Sequence, residues 1–271
     1  MHWIAALPMY NVTPALAADW RALLARVHAR VADWLAARGD TLAIVESNEP
    51  LERFWLRDDL LLSQTCGYPL VHALADRVRL IATPDFDIDG CAGGNYHSVL
   101  VTAARLTAAS LEACRGLRAA YNGDDSNSGM NLFRHAVAPL AEGGPFFSSV
   151  LKTGGHLASL RALAIDRTAD VAAIDCVTFA FVREHLPELA GGVREIGVTA
   201  SAPGLPFIAS NALPADAATL LADALDAAVR VHPELARRLK LKGFVRRPAG
   251  DYQSILAMEG AAIARGYPVL A

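Results

Sequence analysis

The sequence contains no apolar run approaching the ~18 residues that a membrane-spanning helix requires, so no transmembrane span is predicted. It also lacks a marked excess of either charge. With 25 Lys and Arg against 28 Asp and Glu, the net charge is −3, which argues against a general nucleic-acid binder. Cysteine is scarce, with four residues at 66, 91, 114 and 176. None forms a Cys-x-x-Cys pair or a cysteine–histidine spacing of the zinc type, so no metal centre is predicted. There are no low-complexity tracts and no internal repeat. A secretory signal of the ordinary form is missing too. Residues 3–9 are apolar and Ala15-Leu16-Ala17 has the small-residue form of a cleavage site. However, no Lys or Arg precedes the apolar stretch, and Pro8, Asn11 and Thr13 interrupt it. As read the chain is cytoplasmic; it is periplasmic if a signal lies upstream of this stretch. Residues 2–9 read better as the first strand of the fold.

What is present is a core-forming composition. Of 271 residues 53% are hydrophobic, enough for one large or two medium domains. Thr13-Pro14 is an N-cap followed by a proline at the first helical position. From there Trp20, Leu23, Leu24, Val27, Val31, Trp34 and Leu35 keep a helical period, and Gly39 ends the helix. Strands are predicted at 41–45, 60–64 and 78–83, with a short helix after 66. Strand-helix alternation implies an α/β fold with mostly parallel sheets flanked by helices. Residues 84–95 read as loop, with Pro84, three aspartates and three glycines. Pro203-Gly204-Leu205-Pro206 is a second punctuation. Between the two the pattern reads helix, strand (117–121), helix (129–141), strand (148–153), helix (156–166), strand (170–175), helix (177–189) and strand (193–199). This predicts two lobes, residues 1–94 plus 206–271 and an inserted lobe of 95–205, with a ligand cleft between them. The basic run Arg237, Arg238, Lys240, Lys242, Arg246 and Arg247 reads as a solvated face. Cys66 and Cys91 each follow a strand, are placed in the first lobe and could face one another, which leaves a disulfide between them open.

The chemistry concentrates in Tyr121-Asn-Gly-Asp-Asp-Ser126-Asn127-Ser128-Gly129-Met-Asn131. A short strand precedes this polar turn. After it, Met130, Phe133, Val137 and Leu140 fall on one helical face. Ser126 and Ser128 stand at the N-cap and first turn, where free backbone N–H groups and a positive dipole end suit an anion. Gly129 would let a ligand approach the backbone. His156 begins a helix just after a strand, and Asp175 ends a strand as it enters another helix. Carboxyl ends of parallel strands form one edge of a sheet, so these three places are predicted to share that edge.

Asn122 to Gly129, Gly154-Gly155-His156-x-x-Ser159 and Ala169 to Asp175 together resemble the phosphonate-binding (PhnD-like) solute receptors of the type II periplasmic-binding-protein fold. Leu7 to Tyr10 (Leu-Pro-Met-Tyr) and Ser63 to Gly67 (Ser-Gln-Thr-Cys-Gly) resemble a shorter set within that superfamily. The resemblance implies that Ser126, Asn127, Ser128 and His156 cradle an oxyanion and that Asp175 orients the ligand's other end. It also implies an opposing wall of Tyr68 and Tyr10, with Thr65 and Tyr96 completing the ligand-binding set. The implied partners are a small anionic ligand (phosphonate, phosphate ester or carboxylate) and an ABC-transporter permease, with no cofactor and no catalytic residue. Two departures bear on this. Asn127 stands where a third hydroxyl is often seen, and Asp124 and Asp125 place negative charge beside the anion site unless they point away or hold a cation.

The alternative is a cytosolic enzyme on the same fold, resembling chorismate dehydratase and acting on a small carboxylate. No paired carboxylates or nucleophile–base pair stands out in the sequence for it, although Cys176 beside Asp175 could be a cleft thiol. A third reading, a metal-carrying receptor using Tyr10, Tyr68, Tyr96 or Tyr121, has only scattered tyrosines behind it.

Overall fold

A computed structural model describes all residues from Met1 to Ala271. In chain order it begins β1 (His2–Ala6), α1 (Pro14–Ala37), β2 (Thr41–Ile44), α2 (Leu51–Trp55), β3 (Leu60–Gln64), α3 (Gly67–Val71) and β4 (Val78–Phe86). The middle holds β5 (Asn95–Tyr96), β6 (Ser98–Ala103), β7 (Arg118–Tyr121), α4 (Leu132–Ala141), β8 (Ser149–Lys152) and α5 (His156–Ala164). It continues with β9 (Val171–Asp175), α6 (Cys176–His185), α7 (Pro187–Gly191) and β10 (Val193–Val198). The chain ends with β11 (Ala202–Pro203), β12 (Phe207–Ser210), α8 (Ala215–Val231), α9 (Pro233–Arg238), β13 (Leu241–Val245) and α10 (Gln253–Ala264). No helix is long and apolar enough to cross a membrane.

These elements form two compact units. One comprises Met1–Asp87, Ala92–Gly94 and Gly204–Asp251; the other comprises Ile88–Cys91, Asn95–Pro203 and Tyr252–Ala271. The first is built on a six-stranded sheet of order β13-β4-β12-β3-β1-β2. Here β1 runs parallel to β2 and β3, while β12 and β13 pair antiparallel with their neighbours. Thr13 caps α1 by accepting from the Leu16 N–H, and Trp20, Leu23, Leu24, Val27, Val31 and Leu35 bury one helical stripe.

β4 runs three residues beyond the predicted strand because β13 pairs with it from Thr83 to Phe86. The basic run keeps Arg237, Arg238, Lys242 and Arg246 exposed, as expected of a solvated face. It spans α9 and β13, and several of its charges are paired: Arg237 with Glu234, Arg238 with Asp19, Lys242 with Asp85 and Arg246 with Asp223.

The second unit has a five-stranded sheet of order β10-β6-β9-β7-β8. β7 is parallel to both β8 and β9, and β6 runs antiparallel to β9 and β10. Phe133, Val137, Phe146, Phe147, Val171 and Ala173 form its core together with Ala262 and Tyr267.

The last two of these residues mark a difference from the sequence reading, which assigned all of 206–271 to the first lobe. Tyr252–Ala271 packs with the second unit instead. The cause is polar as well as apolar. The Asn131 amide donates to the Ile255 carbonyl at 3.1 Å and Arg134 donates to the Pro268 carbonyl at 2.7 Å. The Arg134 guanidinium, buried at 5% side-chain exposure, faces Glu259 at 3.2 Å. Burying a guanidinium is costly unless it is paired and hydrogen-bonded, so α10 is held where those partners are. Removing the carboxylate should expose that cost. Glu259→Ala is expected to lower the unfolding free energy by about 2 kcal/mol in a urea titration, a buried-pair loss reduced by the partial exposure of Glu259.

Candidate functional site

The parallel order of β9, β7 and β8 brings three loops to one edge of the second sheet. The first loop leaves β7 and widens at 127–131 into a π-turn, in which the Asn131 N–H reaches the Ser126 carbonyl five residues back at 3.0 Å. Such turns are rare and recur at functional sites. Ser126 is the N-cap, accepting from the Gly129 N–H at 3.0 Å, and its own hydroxyl proton is not consumed by that bond. The Ser128 carbonyl is pinned by the Ser98 hydroxyl at 2.9 Å. The Ser128 Oγ lies 2.8 Å from the Nε2 of His156, the first residue of α5 after β8. The Asp175 N–H, at the end of β9, points to the same Nε2 at 3.4 Å.

Those contacts determine the tautomer. A backbone N–H can only donate, so Nε2 accepts, the Ser128 O–H donates to it, and the proton of the neutral ring sits on Nδ1. Nδ1 is sealed from solvent and has no hydrogen-bond partner, although part of the residue reaches the surface. Burial pushes the imidazole pKa down to about 3, so the ring is neutral at physiological pH.

The other predicted residues take various places. The Asn127 side chain is fully buried and faces inward. Its amide donates to the Tyr96 hydroxyl at 3.1 Å and its carbonyl oxygen accepts from Asn131 at 3.0 Å. Asp175 is 2% exposed and its Oδ1 caps α6, accepting from Val177 at 2.8 Å and Thr178 at 3.0 Å. Tyr10, Thr65 and Tyr68 belong to the other unit. There the Tyr10 ring packs edge-on against Phe86 at 5.5 Å, and the buried Thr65 N–H donates to the Pro206 carbonyl at 3.0 Å. Tyr68 lies against the His72 ring at 4.3 Å.

Gly129 has a steric reason of its own. A Cβ there would fall 1.9 Å from the Asn122 Oδ1, so the glycine makes room for Asn122. The charge conflict posed by Asp124 is resolved at the surface. It accepts from the Tyr121 hydroxyl and from the Lys152 ammonium, each at 2.7 Å. Lys152, then Tyr121, hold the Asp124 carboxyl below its ordinary range, and burial, more than Asp124, pushes the Tyr121 phenol up to about 12. None of the four cysteines is in a disulfide, and the sulfur in contact with Cys91 is Cys176, not Cys66.

Sequence reasoning missed Ser98 and Asn131. Ser98 stands in a β-branched, apolar strand, where its polarity was the only signal. Asn131 was hidden in the helical stripe, although Arg134 three residues on is a spacing that lets two polar groups meet on a helix.

The family model described as an ABC-transporter, phosphonate, periplasmic substrate-binding protein matches residues 56–252. Among solved structures, the chain is similar to a binding-protein component of an ABC phosphonate transporter from Pseudomonas aeruginosa. The identity is 16% and the TM-score 0.76, over 97% of this chain and 87% of that one. It is also similar to PhnD1 from Prochlorococcus marinus in complex with methylphosphonate, at 16% identity and TM-score 0.74 over 97% and 98% of the two chains. A Xanthomonas citri protein bound to ATP matches at 14% identity and TM-score 0.67 over 97% and 98%. No match is found among curated proteins.

The depressed His156 pKa has a stability consequence. The unfolded chain takes up a proton near the ordinary histidine value of ~6.5, and the folded one only near 3. Between those values the unfolded state binds more protons, so this contribution is complete above about pH 6.5 and is lost as pH falls toward 3. One proton limits the slope to about 1.4 kcal/mol per pH unit. Urea titrations of wild type and His156→Gln from pH 7 to pH 4 should converge as the wild type alone loses this contribution; parallel curves would contradict it.

Proposed function

The chain belongs to the periplasmic substrate-binding proteins of ABC phosphonate transporters, and on that premise we propose that it binds a small oxyanion at the β7–β8–β9 edge of its second unit. Members of this family bind small anionic ligands and work with ABC transporters. The finer reading is that this chain's ligand is a phosphonate, phosphate ester or small carboxylate, delivered to an importer permease. The observation that carries it is the buried, unpaired Nδ1 of the His156 ring, whose Nε2 meets the Ser128 hydroxyl at 2.8 Å. A buried donor without a partner is costly, and an oxygen of the ligand would satisfy it. Neutral donors also suit reversible capture: hydrogen bonds to a charged group stabilise by about 1.5–3 kcal/mol each without a fixed counter-ion.

The enzyme reading has one observation to answer, the Ser128–His156 pair at 2.8 Å. In a nucleophilic dyad a third group orients the far ring nitrogen and strengthens the base. Here that nitrogen is unpaired, the Asp175 carboxylate caps α6, and an imidazole with a pKa of about 3 is a weak base at neutral pH. The pair therefore serves recognition better than attack.

Calorimetric titration with methylphosphonate, glycerol phosphate and succinate tests the proposal. At least one should bind, and Ser128→Ala should weaken it by about 1–3 kcal/mol, roughly 5- to 150-fold in Kd. A ligand whose affinity is unchanged in both Ser128→Ala and His156→Ala would place recognition elsewhere.

A further inference from the structure

Cys91 and Cys176 are 85 positions apart in sequence, yet their sulfurs lie 3.5 Å from each other in the buried interior of the second unit. We infer that these two thiols form a reversible intramolecular redox site, a dithiol that closes to a disulfide. The proposal is independent of the ligand reading.

The contact is built rather than incidental, because both cysteines are held through one residue, His97. The Cys176 N–H donates to the His97 carbonyl at 3.1 Å. On the other side the His97 ring lies directly over Gly90, where an added Cβ would fall 1.7 Å from its Cε1. Gly90 has a φ of +85°, a conformation that glycine adopts without strain, and Cys91 follows it with its N–H on the Ile88 carbonyl at 2.9 Å. Cys176 is fixed further by the β6–β9 ladder, in which Ser98 stands opposite Asp175. The sulfurs need to approach by only about 1.5 Å to reach the ~2.05 Å of a disulfide.

The chemistry balances with a low-molecular-weight disulfide as oxidant. The Cys91 thiol loses its proton and attacks one oxidant sulfur, releasing the first small thiol and leaving a mixed disulfide on Cys91. The Cys176 thiolate then attacks the Cys91 sulfur and expels the second small thiol. Two electrons and two protons leave the protein and reduce one disulfide to two thiols. Cys91 is assigned the first step because it is the more exposed of the pair, 8% against 3%. The closed link would tie the segment Ile88–Cys91 to the start of α6, one residue from the Asp175 N–H that meets His156.

The full chain is treated under native conditions with oxidised glutathione. It is then alkylated, digested without reduction and mapped by mass spectrometry. The expected result is one joined peptide pair containing Cys91 and Cys176, a mass loss of about 2 Da, and restoration by dithiothreitol. The oxidised protein should melt about 4–10 °C higher, because the link closes a long loop. Cys66→Ser should oxidise as the wild type does, and Cys91→Ser should not form the product. Four thiols still alkylated after native treatment, or a link that maps to Cys66 or Cys114, would overturn the inference. So would closure that occurs only in urea.

Discussion

The parallel register of β9, β7 and β8 is the constraint from which the polar architecture of the second unit follows. Three adjacent strands pointing the same way deliver three loops to one edge, where each enters a helix. Helix starts leave backbone donors without internal partners, and this edge collects three of them. Ser126 and Asp175 satisfy some of those donors as caps. The hydroxyl of Ser128 and the ring of His156 then meet at a distance that the strand spacing sets, because neighbouring strands stand only ~4.8 Å apart. The site is thus a consequence of topology before it is a set of residues.

A second constraint acts from beneath. Tyr96, Asn127, Asn131, Arg134 and Glu259 form a buried chain of hydrogen bonds running from β5, under the serine turn, to α10. Buried polar networks stabilise a unique arrangement only when their members are satisfied, and a partly satisfied one is costly. This explains two features together. The turn is widened to a π-turn, which sets Asn127 and Asn131 four positions apart facing the interior while Ser126 and Ser128 serve the edge. The C-terminal tail packs with the second unit, because it supplies the Ile255 and Pro268 carbonyls and the Glu259 carboxylate that close the chain.

Much of this was legible in the sequence, for reasons that also explain what was not. Helix α1 could be read from its capping threonine, its proline and its apolar period, all local signals. The common edge of Ser128, His156 and Asp175 could be read because each sits at a strand-to-helix transition, and alternation implies parallel strands. Strand β13 was hidden because its lysine and the arginines beside it look solvated; only the antiparallel partner β4 and the paired acids make it a strand. Tail placement was hidden for a similar reason, since an apolar helix does not name the core it joins. The depth of Asn127 and Gly129 was not legible: composition places both in a polar turn, but the Asn127 side chain faces the buried network and Gly129 makes room for Asn122.

Charge placement completes the logic of the edge. Of the two acidic groups ahead of the turn, Asp124 is drawn outward by Lys152 and Tyr121, so its field is largely compensated at the exposed surface. Arg134, which lies close behind the turn, is committed to Glu259 and to neutral acceptors. His156 is kept neutral by burial. What the edge holds is therefore an array of dipoles rather than charges: the Ser126 hydroxyl, the Ser128 hydroxyl turned to the His156 ring, and the backbone N–H groups of the helix starts. Dipoles discriminate by direction and distance more than by net charge. An oxyanion whose oxygens fit those directions gains several hydrogen bonds at once, whereas a bare anion of the same charge gains fewer. On the proposed reading, selectivity at this edge would rest on the tetrahedral or planar placement of the ligand's oxygens, with the buried network beneath holding the turn in place.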